Sequence, residues 1–316
     1  MKYSSAFGKL SSRIILGSAY FGTAIREDEA FELIDKYVDL GGCHIDTARM
    51  YSNGESEKII GKWIKNNKSK DVLISSKGGF PDREQKSRLT KSELEYDLNK
   101  SLDALNVDCI DFYWLHRDDE KISAGEIIDI MNDFVKVGKI RRFGASNWRS
   151  NRIIEANTYA KRKGLYGFEG SQIRFSVAKT SPSFCGDPTL VEMNGTEFEF
   201  YKNANIPVAA FASQAKGFFS KIDQSGVEGL SKTAKQRYLC KENIDKFEYV
   251  KVLAKKYEKS VGAIVCGALC SFKIPEVFPI IGVRTKLQLE DSMNGGDVEL
   301  SQSEIKRLFG EKFLKI

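Results

Sequence analysis

The chain has 316 residues, 41% of them hydrophobic, which is enough to bury a large core and is within the usual size of an α/β barrel formed as one domain. Its 49 Lys and Arg against 43 Asp and Glu leave a net charge of +6, scattered rather than gathered into an arm or stripe, so nucleic acid is excluded as the expected partner. No segment approaches the roughly 18 uninterrupted apolar residues of a membrane span, the N-terminus has no apolar leader, and the expected setting is cytoplasmic without a membrane partner.

Short runs rich in β-branched and apolar residues recur at Arg13–Leu16, Cys43–Asp46, Val72–Ser76, Cys109–Leu115, Ile140–Ala145, Phe168–Gln172, Val208–Phe211 and Val277–Ile281. Helically spaced segments lie between them. Asp28–Leu40 places Phe31, Ile34, Tyr37 and Val38 on one face, and Ser56–Asn66 does the same with Ile59, Ile60, Trp63 and Ile64. Thr90–Leu105 opens with a Thr90 to Glu93 capping box. Parallel crossovers of this kind, repeated eight times, imply a (β/α)8 TIM barrel as one domain over residues 1–316. The rival, a doubly wound sheet, lacks a GxGxxG after its first strand and any GxxxxGK[ST].

Two long connections, Ala178–Ala204 after the sixth strand and Phe218–Asn243 after the seventh, are punctuated by Gly, Ser or Pro and read as loops covering substrate and cofactor. The six cysteines (Cys43, Cys109, Cys185, Cys240, Cys266 and Cys270) are dispersed, form no CxxC pair and read as reduced packing residues. No metal site is assigned. Asn67-Lys-Ser and Asn194-Gly-Thr fit a glycosylation pattern that matters only in a secreted chain.

Four chemically capable residues fall at or just beyond strand ends. Asp46 closes the second strand, Tyr51 follows five residues later, Lys77 closes the third and His116 the fourth. In a barrel those ends converge on one rim. Each alone has an ordinary reading as a cap, a solvated charge or a packing residue. Together they form a proton-transfer unit: reducing a carbonyl requires a proton donor at the developing alkoxide, and tyrosine, with a reference pKa of about 10, is a weak acid that a lysine and a carboxylate can tune. His44, the second of the two histidines, reads as a core or barrel-lining residue.

These residues resemble the aldo-keto reductase superfamily over Leu16 to about Ser292. The resemblance is carried by Ile-Asp-Thr-Ala-Arg-Met-Tyr51 followed by Gly54-Glu55-Ser56-Glu57, then Ser-Ser-Lys77, Trp-Leu-His116, Gly144-Ala145-Ser146-Asn147 and Ser171-Gln172, in that family's order. It implies hydride transfer between a nicotinamide and a small carbonyl or alcohol substrate, an aldehyde, ketone or sugar. Tyr51 would be the general acid or base, Lys77 and Asp46 would tune it, and His116 would orient the carbonyl oxygen.

Further expectations follow from the same likeness. Gly17, Ser18, Ala19 and Asp46 would border the cofactor, and Ser146, Asn147 and Gln172 would hold the nicotinamide amide. The segment from Val208 to Gly217 resembles the stretch that stacks the ring on Phe211 and binds the pyrophosphate. Ala212 replaces a frequent Ser, leaving Ser213, Gln214, Lys216 and Gly217 for the phosphates. The segment Gly282–Ser292 resembles the adenosine site, with Gln288 where Arg is frequent and Asp291-Ser292 in place of Glu-Asn. Arg284 and Lys286 would then supply the 2′-phosphate contact, favouring NADP over NAD.

Tyr20, Trp114, Trp148 and the 178–204 segment are candidate substrate walls, and Arg117-Asp118-Asp119 reads either as a hydroxyl-binding group or as a helix cap. Two other functions compete: a nicotinamide-binding sensor with little turnover, and a Schiff-base lyase using Lys77. The lyase leaves Ser146-Asn147, Gln172 and Gly282–Ser292 without a role.

Overall fold

The computed structural model describes residues 1–67, 71–84, 86–181, 184 and 186–313, so Cys185 and the Lys-Ser of the first glycosylation pattern lie outside the described residues. Eight strands close into a parallel barrel: β3 (Ile15–Gly17), β4 (His44–Asp46), β5 (Leu73–Gly78), β6 (Ile110–Leu115), β7 (Ile140–Ser146), β8 (Ser171–Arg174), β9 (Val208–Phe211) and β10 (Val277–Ile281), with β10 pairing both β9 and β3. Each falls on or beside one of the eight apolar runs, and the architecture is the expected (β/α)8 TIM barrel.

Helices α1 (Glu27–Asp39), α2 (Glu55–Asn66), α3 (Lys91–Leu105), α4 (Ala124–Lys136) and α5 (Ser150–Lys163) alternate with the strands. Of the expected faces, Ile34 and Tyr37 of α1 and Ile59, Ile60 and Trp63 of α2 are buried, Leu33 joins them, and Phe31, Val38 and Ile64 are half-buried at the edges. Thr90 caps α3 in a reciprocal box with Glu93.

The two long connections are not bare loops. The first contains α6 (Gly195–Ala204), started by Asn194, whose side chain accepts the backbone N–H groups of Thr196 and Glu197. The second folds as α7 (Phe218–Ser225) and α8 (Lys232–Tyr238), followed by α9 (Lys241–Tyr257) and α10 (Val261–Cys270). Burial of Phe198 and Tyr201, of Phe218, Phe219 and Ile222, and of Ala234 and Tyr238 provides each short helix with the apolar face that local punctuation obscured. After the last strand come α11 (Lys286–Met293) and α12 (Gln302–Phe309).

A two-stranded antiparallel ribbon, β1 (Tyr3–Ser4) and β2 (Ser11–Ser12), precedes the barrel. Between its strands Phe7, 1% exposed, meets the rings of Phe112, Trp114 and Phe278 and closes the interior from the N-terminal side. Ile15, Leu73, Phe112, Trp114, Ala209 and Phe278 complete that inner cluster. Because side chains alternate along a strand, the residues two positions further on, among them Gly17, Ser75, His116 and Phe211, face the same interior nearer the C-terminal rim.

Candidate active site

Strand register assembles the rim. Gly17 lies beside Asp46, Asp46 beside Ser75, Lys77 beside Trp114 and Ser146 beside Gln172. Tyr51 is delivered by a tight turn, Tyr51–Gly54, in which Ser52, Asn53 and Gly54 all have positive φ (51°, 55° and 94°). Such a run is costly for residues with a Cβ. The hydroxyl of Ser52, donating 2.6 Å to the Phe21 carbonyl, helps to hold it, and at Gly54 the Arg49 guanidinium occupies the space a side chain would need.

At the centre Lys77 Nζ donates to Asp46 Oδ2 at 2.5 Å and to the Thr47 carbonyl at 2.6 Å, and stands 4.7 Å from the centroid of the Tyr51 ring. The other carboxylate oxygen, Asp46 Oδ1, accepts from Ser75 at 2.9 Å and from Gln172 at 3.0 Å. Burial works against the charge on Lys77, but the Asp46 carboxylate and Tyr51 outweigh it and raise its pKa, so the side chain is a fixed ammonium. The His116 ring lies 6.1 Å from that of Tyr51, edge to face, and 4.8 Å from Phe80. Burial first, then the Lys77 and Arg117 cations, push His116 well below the usual imidazole range. It is therefore a neutral donor at physiological pH, with Nδ1 buried and, among the described residues, unpartnered.

These groups border a cleft of about 1100 Å³ that runs from Tyr51 and His116 past Phe211 to Gln288. Asp46, Tyr51 and His116 line it, and Lys77, 1% exposed, sits behind Tyr51. Of the residues named from the sequence, Gly17, Ala19, Ser146, Asn147, Gln172, Phe211, Ala212, Ser213, Gln214, Lys216, Gly217, Gly282, Arg284, Gln288, Asp291 and Ser292 also line it, and so does Tyr20. Several are already anchored: Ser213 donates to the Ile280 carbonyl at 2.6 Å, Gln214 to Ser292 at 2.8 Å, and the Arg284 amide to Gln288 at 2.9 Å.

Three expectations need correction. Ser18 is fully buried behind the rim, where its hydroxyl donates to the Asp46 carbonyl and accepts from Ser56. Lys286 leaves the cleft and pairs with Glu32 of α1 at 2.9 Å, because the first turn of α11 points that position outward. Trp148 is completely buried, packed between Phe168 and the Arg152 guanidinium with its indole N–H on the Arg117 carbonyl, so it is core rather than substrate wall. Trp114 belongs to the inner barrel cluster. Of the acidic pair after His116, Asp118 binds Arg152 and Asp119 accepts the Lys121 N–H, while Arg117 lines the cleft.

The cleft also contains residues that strand-end reasoning missed. Met50, Phe80 and Leu190 give its catalytic end an apolar wall, and Lys221 and Arg237, from α7 and α8, join Lys216 at the far end. Burial together with the neighbouring Arg237 and Lys221 cations lowers the pKa of Lys216. Just before these helices the backbone turns through Ala212, Ala215, Lys216 and Gly217, all with positive φ, with the N–H groups of Ala215 and Gly217 closing tight turns onto the Ala212 and Gln214 carbonyls. The only sequence signal was the cluster of basic residues inside a segment read as loop.

The profile of the Aldo/keto reductase family matches residues 13–310. The chain is an aldo/keto reductase. Among sequence relatives, the aldo-keto reductase ausK of Emericella nidulans is 29% identical over 298 residues, covering 89% of this chain and 72% of its own. Norsolorinic acid reductase stcV of the same organism is 26% identical, covering 93% and 76%. An aryl-alcohol dehydrogenase of Pestalotiopsis microspora, GME11368, is 25% identical, covering 89% and 72%. A crystal structure of the thermostable aldo-keto reductase Tm1743 superposes with a TM-score of 0.73 at 21% identity, covering 98% of both chains, and shows the same fold. This aldo/keto reductase is thus an oxidoreductase of carbonyl compounds in a family that uses nicotinamide cofactors. Among its described residues no helix is long and apolar enough to cross a membrane.

Proposed function

We propose that this enzyme transfers hydride between NADP(H) and the carbonyl carbon of a small aldehyde or ketone, with Tyr51 as general acid in reduction and general base in oxidation. The observation that carries the reading is the Asp46–Lys77 pair held against the Tyr51 ring inside the cleft. Bound along that cleft, the nicotinamide would supply or take up the hydride.

The chain's own residues do the rest. Tyr51 and neutral His116 meet the substrate oxygen, the first releasing its proton and the second donating a hydrogen bond, so charge developing on that oxygen is met by two donors. The ammonium of Lys77 favours the phenolate that Tyr51 leaves behind, and Asp46 fixes that ammonium. Phe80, Met50 and Leu190 give the catalytic end an apolar wall, which favours aldehydes and ketones with apolar bodies over sugars.

The residues present fit the cofactor. Ser146, Asn147 and Gln172 supply amide and hydroxyl groups at one end, Phe211 an aromatic face, and Lys216, Lys221 and Arg237 a cationic cradle for the pyrophosphate. Among the described residues, Arg237 Nε is buried without a partner. Arg284, at the end of the cleft and stacked 5.0 Å from the Tyr20 ring, is the guanidinium that favours NADP over NAD. A fluorescence titration with NADPH and separately with NADH tests this: tighter NADPH binding is expected, and failure of both to bind at submillimolar concentration would overturn the proposed function.

A further inference from the structure

Below Asp46 the apolar interior of the barrel is interrupted by a polar column that the proposed chemistry does not use. His44 is fully buried, two residues before Asp46 on β4, and so faces the same interior. Its Nδ1 lies 2.9 Å from the Ser11 hydroxyl of the N-terminal ribbon and its Nε2 lies 3.0 Å from the Ser75 hydroxyl. Ser75 in turn lies 2.9 Å from Asp46 Oδ1.

Proton counting fixes the direction of this chain. Asp46, ionised opposite Lys77, can only accept. Ser75 has one hydroxyl proton, which goes to Asp46, so its oxygen must accept from His44 Nε2–H. A neutral imidazole protonated at Nε2 leaves Nδ1 as an acceptor for Ser11. The opposite tautomer would direct the Ser75 proton toward His44 and leave the serine and carboxylate oxygens 2.9 Å apart with no proton between them. Its only compensation is at Ser11, whose hydroxyl could turn to the Ser12 carbonyl 3.0 Å away.

We propose that His44 and Ser75 are positioning residues for proton transfer: the Nε2–H tautomer of His44 commits Ser75 as a donor, and that bond reduces the negative charge Asp46 presents to Lys77 and Tyr51. The inference rests on Tyr51 being the proton donor. Burial first, then the Lys77 and Lys9 cations, push His44 down to about 3, so it adds no charge of its own. The other ionisable groups around this unit are His116 and Arg117 beside Tyr51, and Glu57, which acts on Lys77 from α2.

Deleting the Ser75 hydroxyl leaves more charge on Asp46, disfavours the Tyr51 phenolate and raises the pH at which Tyr51 loses its proton. Two measurements test this. With only two histidines in the chain, a 15N-histidine NMR spectrum resolves both rings. His44 is expected as a slowly exchanging Nε2–H tautomer, unchanged between about pH 5 and 9, and Ser75→Ala should release it. A His44 protonated at Nδ1, or one indifferent to Ser75→Ala, would overturn the proposal.

The second is the alkaline limb of the pH profile for NADPH reduction of 4-nitrobenzaldehyde. It should move up by about one pH unit in Ser75→Ala, the size expected for a lost hydrogen bond to a charged group, and return in Ser75→Thr. A lower kcat with an unmoved limb would mean packing alone and would equally overturn it. If wild type failed to turn over, the proposed function would fall, and the tautomer measurement would still decide the role of His44.

Discussion

The two ends of the cleft are built differently. At the β4–β6 rim every charge arrives with its partner: Lys77 on Asp46, and Asp46 on Ser75 and Gln172. At the far end, among the described residues, Lys216, Lys221, Arg237 and Arg284 have no carboxylate within ion-pair distance, although Arg237 and Lys221 crowd Lys216. The first is a finished electrostatic device that would hold its geometry whether or not a ligand is present. The second is an excess of positive potential that an anionic ligand would relieve. Chemistry and binding are therefore expected to separate by mutation.

The sharpest break in that comparison is Tyr51→Phe. Removing the hydroxyl deletes the proton donor without touching the cationic end, so kcat/KM for aldehyde reduction should fall by about 10²–10⁴ while NADPH affinity stays within about twofold. A variant that retained turnover would remove Tyr51 from its assigned role. The complementary change is Arg237→Ala. Loss of a charge-assisted contact costs about 1.5–3 kcal/mol, so NADPH and NADH should both bind roughly 10–100-fold more weakly, whereas Arg284→Ala should weaken NADPH alone. Equal losses for both cofactors in Arg284→Ala would relocate the 2′-phosphate contact.

The same division governs what could be read in advance. Strand ends were legible because β-branched runs set the strand period and a barrel brings consecutive ends to one rim, so Asp46, Lys77 and His116 could be placed together before any geometry was known, whereas Gln172 was named only through the family resemblance. Of the cationic cradle, only Lys216 was named in advance, through the family resemblance. Lys221 and Arg237 come from α7 and α8, whose apolar faces are only two or three residues each (Phe218, Phe219 and Ile222; Ala234 and Tyr238) and become helical by packing on the barrel. Side-chain direction was equally hidden: Ser18, Lys286 and Trp148 sit at the expected chain positions but face away from the cleft. The ribbon β1–β2 is too short to carry a pattern, and it brings Ser11 to His44.

Burial at the finished end also sets an acid limit. His44 and His116 are both held below their unfolded range, chiefly by desolvation, so unfolding takes up a proton at each once the pH falls below the unfolded value of about 6.5. Their contribution is therefore fully present above that pH and is lost as pH decreases, by up to about 1.4 kcal/mol per pH unit for each ring. Denaturant titrations between about pH 7 and 5 should show this slope. His44→Gln should flatten it by one proton, and an unchanged slope would mean that His44 already binds a proton in the folded chain.

The smallest expected effect tests a correction. Lys286 precedes Gln288 in the segment that borders the adenosine end, yet its ammonium is 2.9 Å from Glu32, with both side chains more than half exposed. An ion pair that open is worth at most about 1 kcal/mol and lies outside the cleft. Lys286→Ala should therefore change NADPH affinity by less than about twofold and stability by only a few tenths of a kcal/mol. A larger loss confined to NADPH would mean that the phosphate draws Lys286 away from Glu32. Since the exposed pair holds that side chain only weakly, the Glu32→Ala variant would then bind NADPH more tightly than wild type, and the nucleotide end would be remodelled by its ligand where the rim is not.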